Sequence, residues 1–245
     1  MSNKVEEINP YQSSDAKHQQ VRRMFDSIAK KYDLMNRMMT MGIDKLWRRR
    51  AVKLVAKTRP KTILDIATGT ADLAIALARK AHEAQITGVD LSEGMIEIGR
   101  QKVEHARLGD RINLKAADAL ALPFEDNSFD IITVAYGVRN FEHLDKGYAE
   151  MHRVLAPGGM LCVLELTTPK SKFVRPFYNF YTRVIIPAVG RMVSKDDRAY
   201  TYLPESIAAV PAREEMTRLM TNARFTHARY KSMTFGTCTL YTAIK

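Results

Sequence analysis

Residues 63–72, ILDIATGTAD, run from a β-branched apolar segment into a cluster of small residues and then into a helical pattern. A buried strand that ends in a tight turn and opens a helix is the first unit of a βαβ fold, and ligands of such folds sit at that turn. The turn holds a single glycine, Gly69, where a dinucleotide loop has the pattern G-x-G-x-x-G. The fold signal is therefore strong, while the loop departs from the form that cradles a pyrophosphate.

Outward from this unit the rhythm repeats. ADLAIALARKA places Leu73 and Leu77 on one helical face, and AQITGVDLS is a second strand. GMIEIGRQKVEHA reads as a helix, RINLKAAD as a third strand, and FDIITVAYG as a fourth after the turn-rich ALPFEDNS. A helix through KGYAEMHRVL stops at APGG, and MLCVLELT follows as a strand. Strands alternating with helices predict an α/β fold with a doubly wound, mainly parallel sheet. Two closing β-like runs, FTHARYKSM and TCTLYTAIK, are near enough to pair antiparallel at its edge, after a last helix in AREEMTRLMTNA.

Before the sheet, residues 16–55 are helical in pattern, with Val21, Phe25 and Ile28 at i, i+4, i+7. The first ten or so residues read as loosely held. Residues 1–60 are accordingly expected to form an N-terminal helical lid, and residues 61–169 the cofactor-binding α/β core. Residues 170–206 make an apolar and basic insertion, and residues 207–245 complete the core with a helix and edge hairpin. In the insertion Phe173, Phe177, Tyr178, Phe180, Tyr181, Val184, Ile185 and Ile186 are interrupted by Arg175, Arg183, Arg191 and Lys195.

The 245 residues and 46% hydrophobic content suit one globular unit. No apolar run reaches the ~18–20 residues that span a bilayer, and the polar N-terminus lacks a secretory h-region. Cys162 and Cys238 lie in β-like runs without metal-ligand or redox spacing and read as buried free thiols of a cytoplasmic protein. A net charge of +11 fits an anionic membrane surface, nucleic acid, an acidic substrate or plain solubility.

A small-residue loop of Ala67, Thr68, Gly69, Thr70 and Ala71 still admits a close ligand, but gives up the successive flexible positions that wrap phosphates. That suits S-adenosyl-L-methionine, a phosphate-free nucleoside with cationic groups. Asp65, at the first strand's end, is placed to attract a cationic amino group. Asp90 ends the second strand about 20 residues beyond the loop, where a carboxylate accepts ribose hydroxyls. Asp118 ends the third and meets adenine, with Ala119 lending its backbone N–H.

With those residues the chain resembles the class I S-adenosylmethionine-dependent methyltransferases, and more closely the ubiquinone/menaquinone biosynthesis C-methyltransferase family. YDLMNRMMTMGIDKLW (residues 32–47) and RVLAPGGMLCVLELT (residues 153–167) are similar to its two signatures. YGVRN (residues 136–140) and YTYLPES (residues 200–206) are also family-like. Asp44, Thr40, Ala156 and Thr167 depart from the usual His, Ser, Lys and Ser. The resemblance implies a seven-stranded Rossmann-like sheet and methylation of a ring carbon of a polyprenylated quinol. The member acting on 2-demethylmenaquinol yields menaquinol; the residues leave a benzoquinol of ubiquinone synthesis open.

A hydroquinol carbon ortho to an ionised phenol is itself nucleophilic, so no enzyme thiolate is required. Arg139 is the candidate for stabilising the phenolate, Asn140 for orienting the ring or a water, and Tyr32 for closing the site from the lid. His143 and Asp33 are candidate bases. The insertion is expected to cover the prenyl chain and to rest on the inner face of the membrane, or to pack over the sheet or form a homodimer interface. A nucleic-acid methyltransferase is disfavoured, because AYGVRN replaces an N-P-P-Y-type motif and no RNA-binding appendage is visible. A non-catalytic scaffold is disfavoured by the retained Asp65, Asp90 and Asp118.

Overall fold

The central strands are short apolar runs that carry no alternation of polar residues, so they must be covered on both faces. The computed structural model, which describes residues 3–11, 13–186 and 197–245, bears this out. Arg191 and Lys195 of the insertion lie outside the described residues, as does the side chain of Arg183. Seven strands form one sheet in the order β3-β2-β1-β4-β5-β7-β6. They are β1 (Thr62–Ile66), β2 (Gln85–Asp90), β3 (Ile112–Ala116), β4 (Phe129–Ala135), β5 (Leu155–Leu166), β6 (Thr226–Met233) and β7 (Cys238–Ile244). β1 to β5 pair in parallel, and β7 enters antiparallel between β5 and β6. This is the doubly wound sheet closing in a reversed hairpin that the sequence pattern predicts.

The helices are α1 (Lys17–Thr40), α2 (Asp44–Lys57), α3 (Asp72–Lys80), α4 (Glu93–His105), α5 (Leu144–Val154), α6 (Val174–Phe180), α7 (Asp197–Ala209) and α8 (Glu214–Asn222). Strand alternation divides the core in two. Ile63, Ile86 and Ile131 face a cluster with Trp47, Val55, Leu73 and Leu77, so α2 and α3 cover that side. Leu64, Val89 and Ile132 face a second cluster with Tyr148, Met151, Met216 and Phe225, from α5, α8 and the link to β6. β6 is an exposed edge carrying Arg229 and Lys231, a composition that discourages pairing with another chain.

Four features depart from the sequence reading. The N-terminus is docked: Val5 is buried in the second cluster, and Glu6 Oε1 accepts the backbone N–H of Leu144 at 3.0 Å. Burying one apolar side chain and satisfying one helix N-terminus was enough to hold a segment whose composition looks loose. α2 belongs to the core layer rather than to a lid, because Trp47, Ala51 and Val52 pack under the sheet. The expected division at 206/207 falls inside α7, which runs through it unbroken to Ala209. Finally, APGG does not separate α5 from β5. The ladder holds Phe129 opposite Leu155, then resumes at Ile131 opposite Met160. The intervening residues loop out because Gly159 lies so close that a Cβ there would stand 2.8 Å from the carbonyl oxygens of Ala156 and Asp130.

α1 is the element that turns this sheet into a site. Met24, Ile28 and Met35 bury one of its faces against Met95 of α4 and Tyr202 of α7. The helix therefore lies across the carboxyl ends of β1 and β2 and roofs the switch point between β1 and β4, where an open parallel sheet presents its ligand crevice.

Candidate active site

The loop after β1 is shaped by threonines where many loops use glycines. Ala67, Gly69 and Ala71 all take left-handed backbone conformations, at φ 52°, 55° and 64°. Two of the three carry a Cβ, which costs roughly 1 kcal/mol each relative to glycine. Hydrogen bonds hold the strained loop. Thr68 N donates to Val89 O at 3.0 Å, and Gly69 N to Asp90 Oδ2 at 2.9 Å. Thr68 Oγ1 and Thr133 Oγ1 each donate to the Asp65 carboxylate at 2.6 Å, and Thr70 Oγ1 to Asp33 Oδ1 at 2.6 Å.

These contacts sort the expected residues. Ala67, Gly69, Asp90, Asp118 and Ala119 line a pocket under α1, closed by Phe25, Met95, Leu120 and Phe141. Asp65 does not line it. Its carboxylate is buried beneath the loop, and burial pushes its pKa up to about 6 against the pull of the two threonine hydroxyls. Thr70 is likewise turned away from the pocket to Asp33. Asp33 is itself paired with Lys102 Nζ at 2.6 Å, so this carboxylate is tied into an ion network between α1 and α4.

Asp90 keeps both its oxygens at the pocket, each held by one backbone N–H, Gly69 and Ser92. Burial raises its pKa, and Asp26 nearby adds to the shift. Asp118 accepts Leu120 N at 2.9 Å and faces the same space. Gly137 forms the far wall, where a Cβ would stand 2.5 Å from Ala67 Cβ. The lining fits a phosphate-free nucleoside: carboxylates at two strand ends, apolar walls above and below a flat base, and basic side chains only from α1, in His18 and Arg22.

A second, largely apolar cavity of about 200 Å³ lies beyond Tyr32 and Tyr136, which line both spaces. Met39, Ile43, Trp47, Leu166, Tyr178, Tyr181, Ile186, Leu203 and Ile207 supply its walls. Tyr181 OH anchors the insertion on α1 by donating to Met39 O at 3.0 Å. Arg139 lines this cavity, as do the paired Asp44 and Arg48. Arg139 is 5% exposed, and its Nη1 pairs with Glu165 Oε1 at 2.7 Å. That partner is on β5. Desolvation opposes the guanidinium charge, but Glu165 and the nearby tyrosines Tyr32 and Tyr202 raise its pKa, so it stays a cation.

Two buried side-chain atoms among the described residues lack a hydrogen-bond partner of nitrogen or oxygen: Arg139 Nε and the Tyr136 hydroxyl, which has the Cys238 thiol beside it. Both residues line the apolar cavity. Buried donors without partners are rare and point to a missing acceptor. Tyr136 is also held at φ 60°, a left-handed conformation unusual for an aromatic residue. Asn140 lines the cofactor pocket and accepts Tyr202 OH at 3.1 Å.

His143 is not brought to either space. It is exposed at the start of α5 and faces outward beside Glu7 and Asp145. Its neighbour Glu142 turns inward instead, where Oε2 meets His18 Nδ1 at 2.7 Å on the rim of the cofactor pocket. Sequence reasoning missed His18, Glu142, Tyr136 and Glu165 as site residues. The last two stand in motifs already quoted, YGVRN and VLELT, but only the fold shows which way they face. Both cysteines are buried and free, and burial pushes the Cys162 thiol up to about 12, far from a usable thiolate.

The raised pKa of Asp65 has a measurable sign. The folded chain holds this proton more tightly than the unfolded chain, so folding gains as pH falls from 7 toward 4. Relative to Asp65→Asn, the wild type is expected to gain about 2 kcal/mol over that range. Chemical denaturation of both proteins across the range checks this; a constant gap between them would refute the assignment.

Comparison with known proteins follows the same lines as the geometry. The model of the ubiE/COQ5 methyltransferase family matches residues 13–245. The chain is 45% identical over 240 residues to a demethylmenaquinone methyltransferase of Bacteroides fragilis, covering 98% of each. It is 46% identical over 241 residues to one of Porphyromonas gingivalis, again covering 98% of each. A ubiquinone/menaquinone biosynthesis C-methyltransferase of Geobacter sulfurreducens is 40% identical over 230 residues, covering 94% of this chain and 90% of that one. Among solved structures, the [4+2]-cyclase SpnF superposes with a TM-score of 0.68 at 19% identity, covering 93% of this chain and 96% of its own. A S-adenosylmethionine-dependent methyltransferase from Thermotoga maritima gives 0.62 at 18%, covering 91% and 99%. These two share the fold. Matched along nearly its whole length by both the family model and its relatives, the chain belongs to the ubiE/COQ5 methyltransferase family.

Proposed function

We infer that this chain is a S-adenosylmethionine-dependent C-methyltransferase that converts 2-demethylmenaquinol to menaquinol. The observation that carries the reading is the pair of adjoining spaces, one polar and nucleoside-shaped, one apolar, which share Tyr32 and Tyr136 as their common wall. The end-to-end likeness to two demethylmenaquinone methyltransferases supports the naphthoquinol ring.

In this reading Ala67, Gly69, Asp90, Asp118 and Ala119 hold the nucleoside, and Asp65 acts from below by fixing the loop. Asp90 receives the ribose hydroxyls on lone pairs left free by Gly69 and Ser92. Bound there, S-adenosylmethionine supplies a sulfonium methyl group to a nucleophilic ring carbon. Arg139 presents its free Nε to a quinol oxygen and stabilises the negative charge that makes the adjacent carbon nucleophilic. Tyr136 donates its hydroxyl to a quinol oxygen, and Tyr32 and Asn140 keep the ring at the boundary between the two spaces. Glu165 holds Arg139 in position. The new carbon–carbon bond would replace the sulfur–carbon bond, with S-adenosylhomocysteine as the leaving group, and the ring carbon would then lose its proton to water to restore the aromatic ring.

The prenyl chain extends along the apolar cavity beneath α6 and the π-helical turn Tyr181–Ile185. The outward face of that segment carries Phe173, Phe177 and Phe180, which are 87%, 79% and 60% exposed. No helix among the described residues is long and apolar enough to cross a membrane. Such a face suits peripheral contact with the acyl boundary of a bilayer.

Mass spectrometry of products tests the function. Purified protein with labelled S-adenosylmethionine is expected to methylate a reduced demethylmenaquinol; methyl transfer to a benzoquinol precursor alone would reassign it to ubiquinone synthesis. The roles of the two orphan donors are tested by substitution. Arg139→Lys keeps the charge opposite Glu165 but removes Nε, and is expected to lower kcat about 10²-fold with cofactor affinity unchanged. Tyr136→Phe is expected to raise the quinol KM about tenfold, the worth of one hydrogen bond. An equal loss of cofactor binding in either variant would remove its proposed role.

A further inference from the structure

Outside both pockets, the cleft between α2 and α3 gathers positive charge. Arg37, Lys45, Arg49, Lys53, Arg79 and Lys80 line it, and all six are exposed without an ion-pair partner among the described residues. The acid on its wall, Asp72, is already held by Arg48 Nη2 at 3.2 Å and Lys102 Nζ at 2.5 Å. Val52, Ile75 and Ala76 form the floor. Six uncompensated cations on one concave surface repel one another unless an anion enters, and they account for more than half of the net +11.

What lies beside the cleft selects the anion. Leu34 and Met38 lie one turn apart on α1 and Met41 caps its end, and all are exposed, Met41 by 72%. Leu46, 58% exposed, stands between Lys45 and Arg49 on the next helix. An apolar stripe interleaved with cations is the pattern of an interfacial helix, whose apolar groups enter the acyl boundary while its cations meet phosphates. A nucleic acid or a soluble phosphate would leave the stripe without a role. Met41 also lines the apolar cavity, and Arg48 lines both the cavity and the cleft.

We propose that the α2–α3 cleft and the adjoining apolar edge of α1 and α2 bind the surface of a bilayer rich in anionic phospholipid. This rests on the bilayer reading of the insertion and adds to it an electrostatic contact that sets orientation. The two contacts flank the cavity, so a lipid-borne quinol reaches its ring site without the tail crossing water.

The test is co-sedimentation with phosphatidylcholine vesicles, alone or doped with phosphatidylglycerol, at low and high salt. The wild type is expected to bind both, and the doped vesicles more tightly, with the difference lost at high salt. Each basic residue near such a surface contributes about a fivefold change in partitioning. The Arg49→Glu, Lys53→Glu, Arg79→Glu triple variant should therefore lose at least ~100-fold on doped vesicles. It should keep wild-type binding to phosphatidylcholine, an unchanged Tm, and full turnover of a short-chain, water-soluble quinol. Should the triple variant itself unfold, the matching triple alanine variant is the replacement and should lose a smaller part of the same difference. A Phe177→Ser, Phe180→Ser variant should show the opposite split, losing phosphatidylcholine binding and retaining the preference for doped vesicles. Equal binding of the wild type to both vesicles, or a triple variant with the wild-type preference, would overturn the cleft while leaving the insertion's contact standing. No binding to either vesicle would overturn both, and tighter binding to an RNA oligomer than to doped vesicles would reassign the cleft to nucleic acid.

Discussion

A buried ion pair, Arg139 with Glu165, ties together the parts of this structure that make a site. Glu165 is fully buried on β5 and also accepts Leu166 N at 2.8 Å, so its position is fixed by the sheet. Arg139 comes from the short 3₁₀ turn Val138–Asn140 after β4, and its guanidinium also donates to the carbonyl of Tyr136. Its own carbonyl receives Lys17 Nζ, from the first turn of α1, at 3.4 Å. The next residue, Asn140, takes the hydroxyl of Tyr202 from α7. Sheet, lid and insertion therefore meet within two residues. Removing one partner of such a pair leaves a buried charge, at a cost of about 3–5 kcal/mol. The pair contributes little net stability against an apolar replacement, so its retention is better explained by what a fixed, desolvated cation does in an apolar cavity.

The loop after β1 shows a different way of meeting the same geometric demand. A glycine-rich turn reaches left-handed conformations without strain but is loose when unfolded. Here alanines occupy two of those conformations, and the compensation is a set of short threonine hydroxyl bonds to Asp65 and Asp33. A strained loop with fixed hydrogen bonds is pre-organised, so less order must be imposed when a ligand arrives. Asp65 is the cost of this arrangement. Its carboxylate is kept out of water and its pKa is driven up, which a cationic ligand close to the loop would relieve.

The legible part of the fold was whatever strand and helix periodicity encodes. β1 to β5 were readable because apolar runs bounded by turn residues mark them, the final hairpin because two β-like runs stand close together at the chain's end, and Asp90 and Asp118 because strand ends face the crevice. Direction within a turn was not readable. Asp65 and Asp90 both end strands, yet one points beneath the loop and the other into the pocket, a difference set by where in the pleat each strand stops. Glu142 and His143 are adjacent, and the chemically more attractive of the two faces solvent. His18 lies over a hundred residues away in the chain, and its place on the pocket depends on how α1 crosses the sheet. Docking of the N-terminus was hidden for the same reason, since Val5 and Glu6 find partners only in elements far along the chain.

The two spaces place opposite demands on one crevice. A charged nucleoside is held by carboxylates and backbone amides, while a prenylated ring needs dry, apolar walls. Tyr32 and Tyr136 reconcile these demands because an aromatic ring with a polar tip is at home on either side of such a boundary. Burial raises the pKa of both phenols, so they remain neutral and act as hydrogen-bond donors, adding no second negative charge near a developing phenolate. The architecture alone does not dictate this chemistry: SpnF, a cyclase, shares the fold across almost its whole chain. The content of the second space bears on the chemistry: a desolvated arginine and a tyrosine hydroxyl with no nitrogen or oxygen partner stand against hydrocarbon. Those groups are costly to bury and explain little about folding. An oxygen-bearing apolar ring would supply the acceptor that Arg139 Nε lacks and would fit the walls around it.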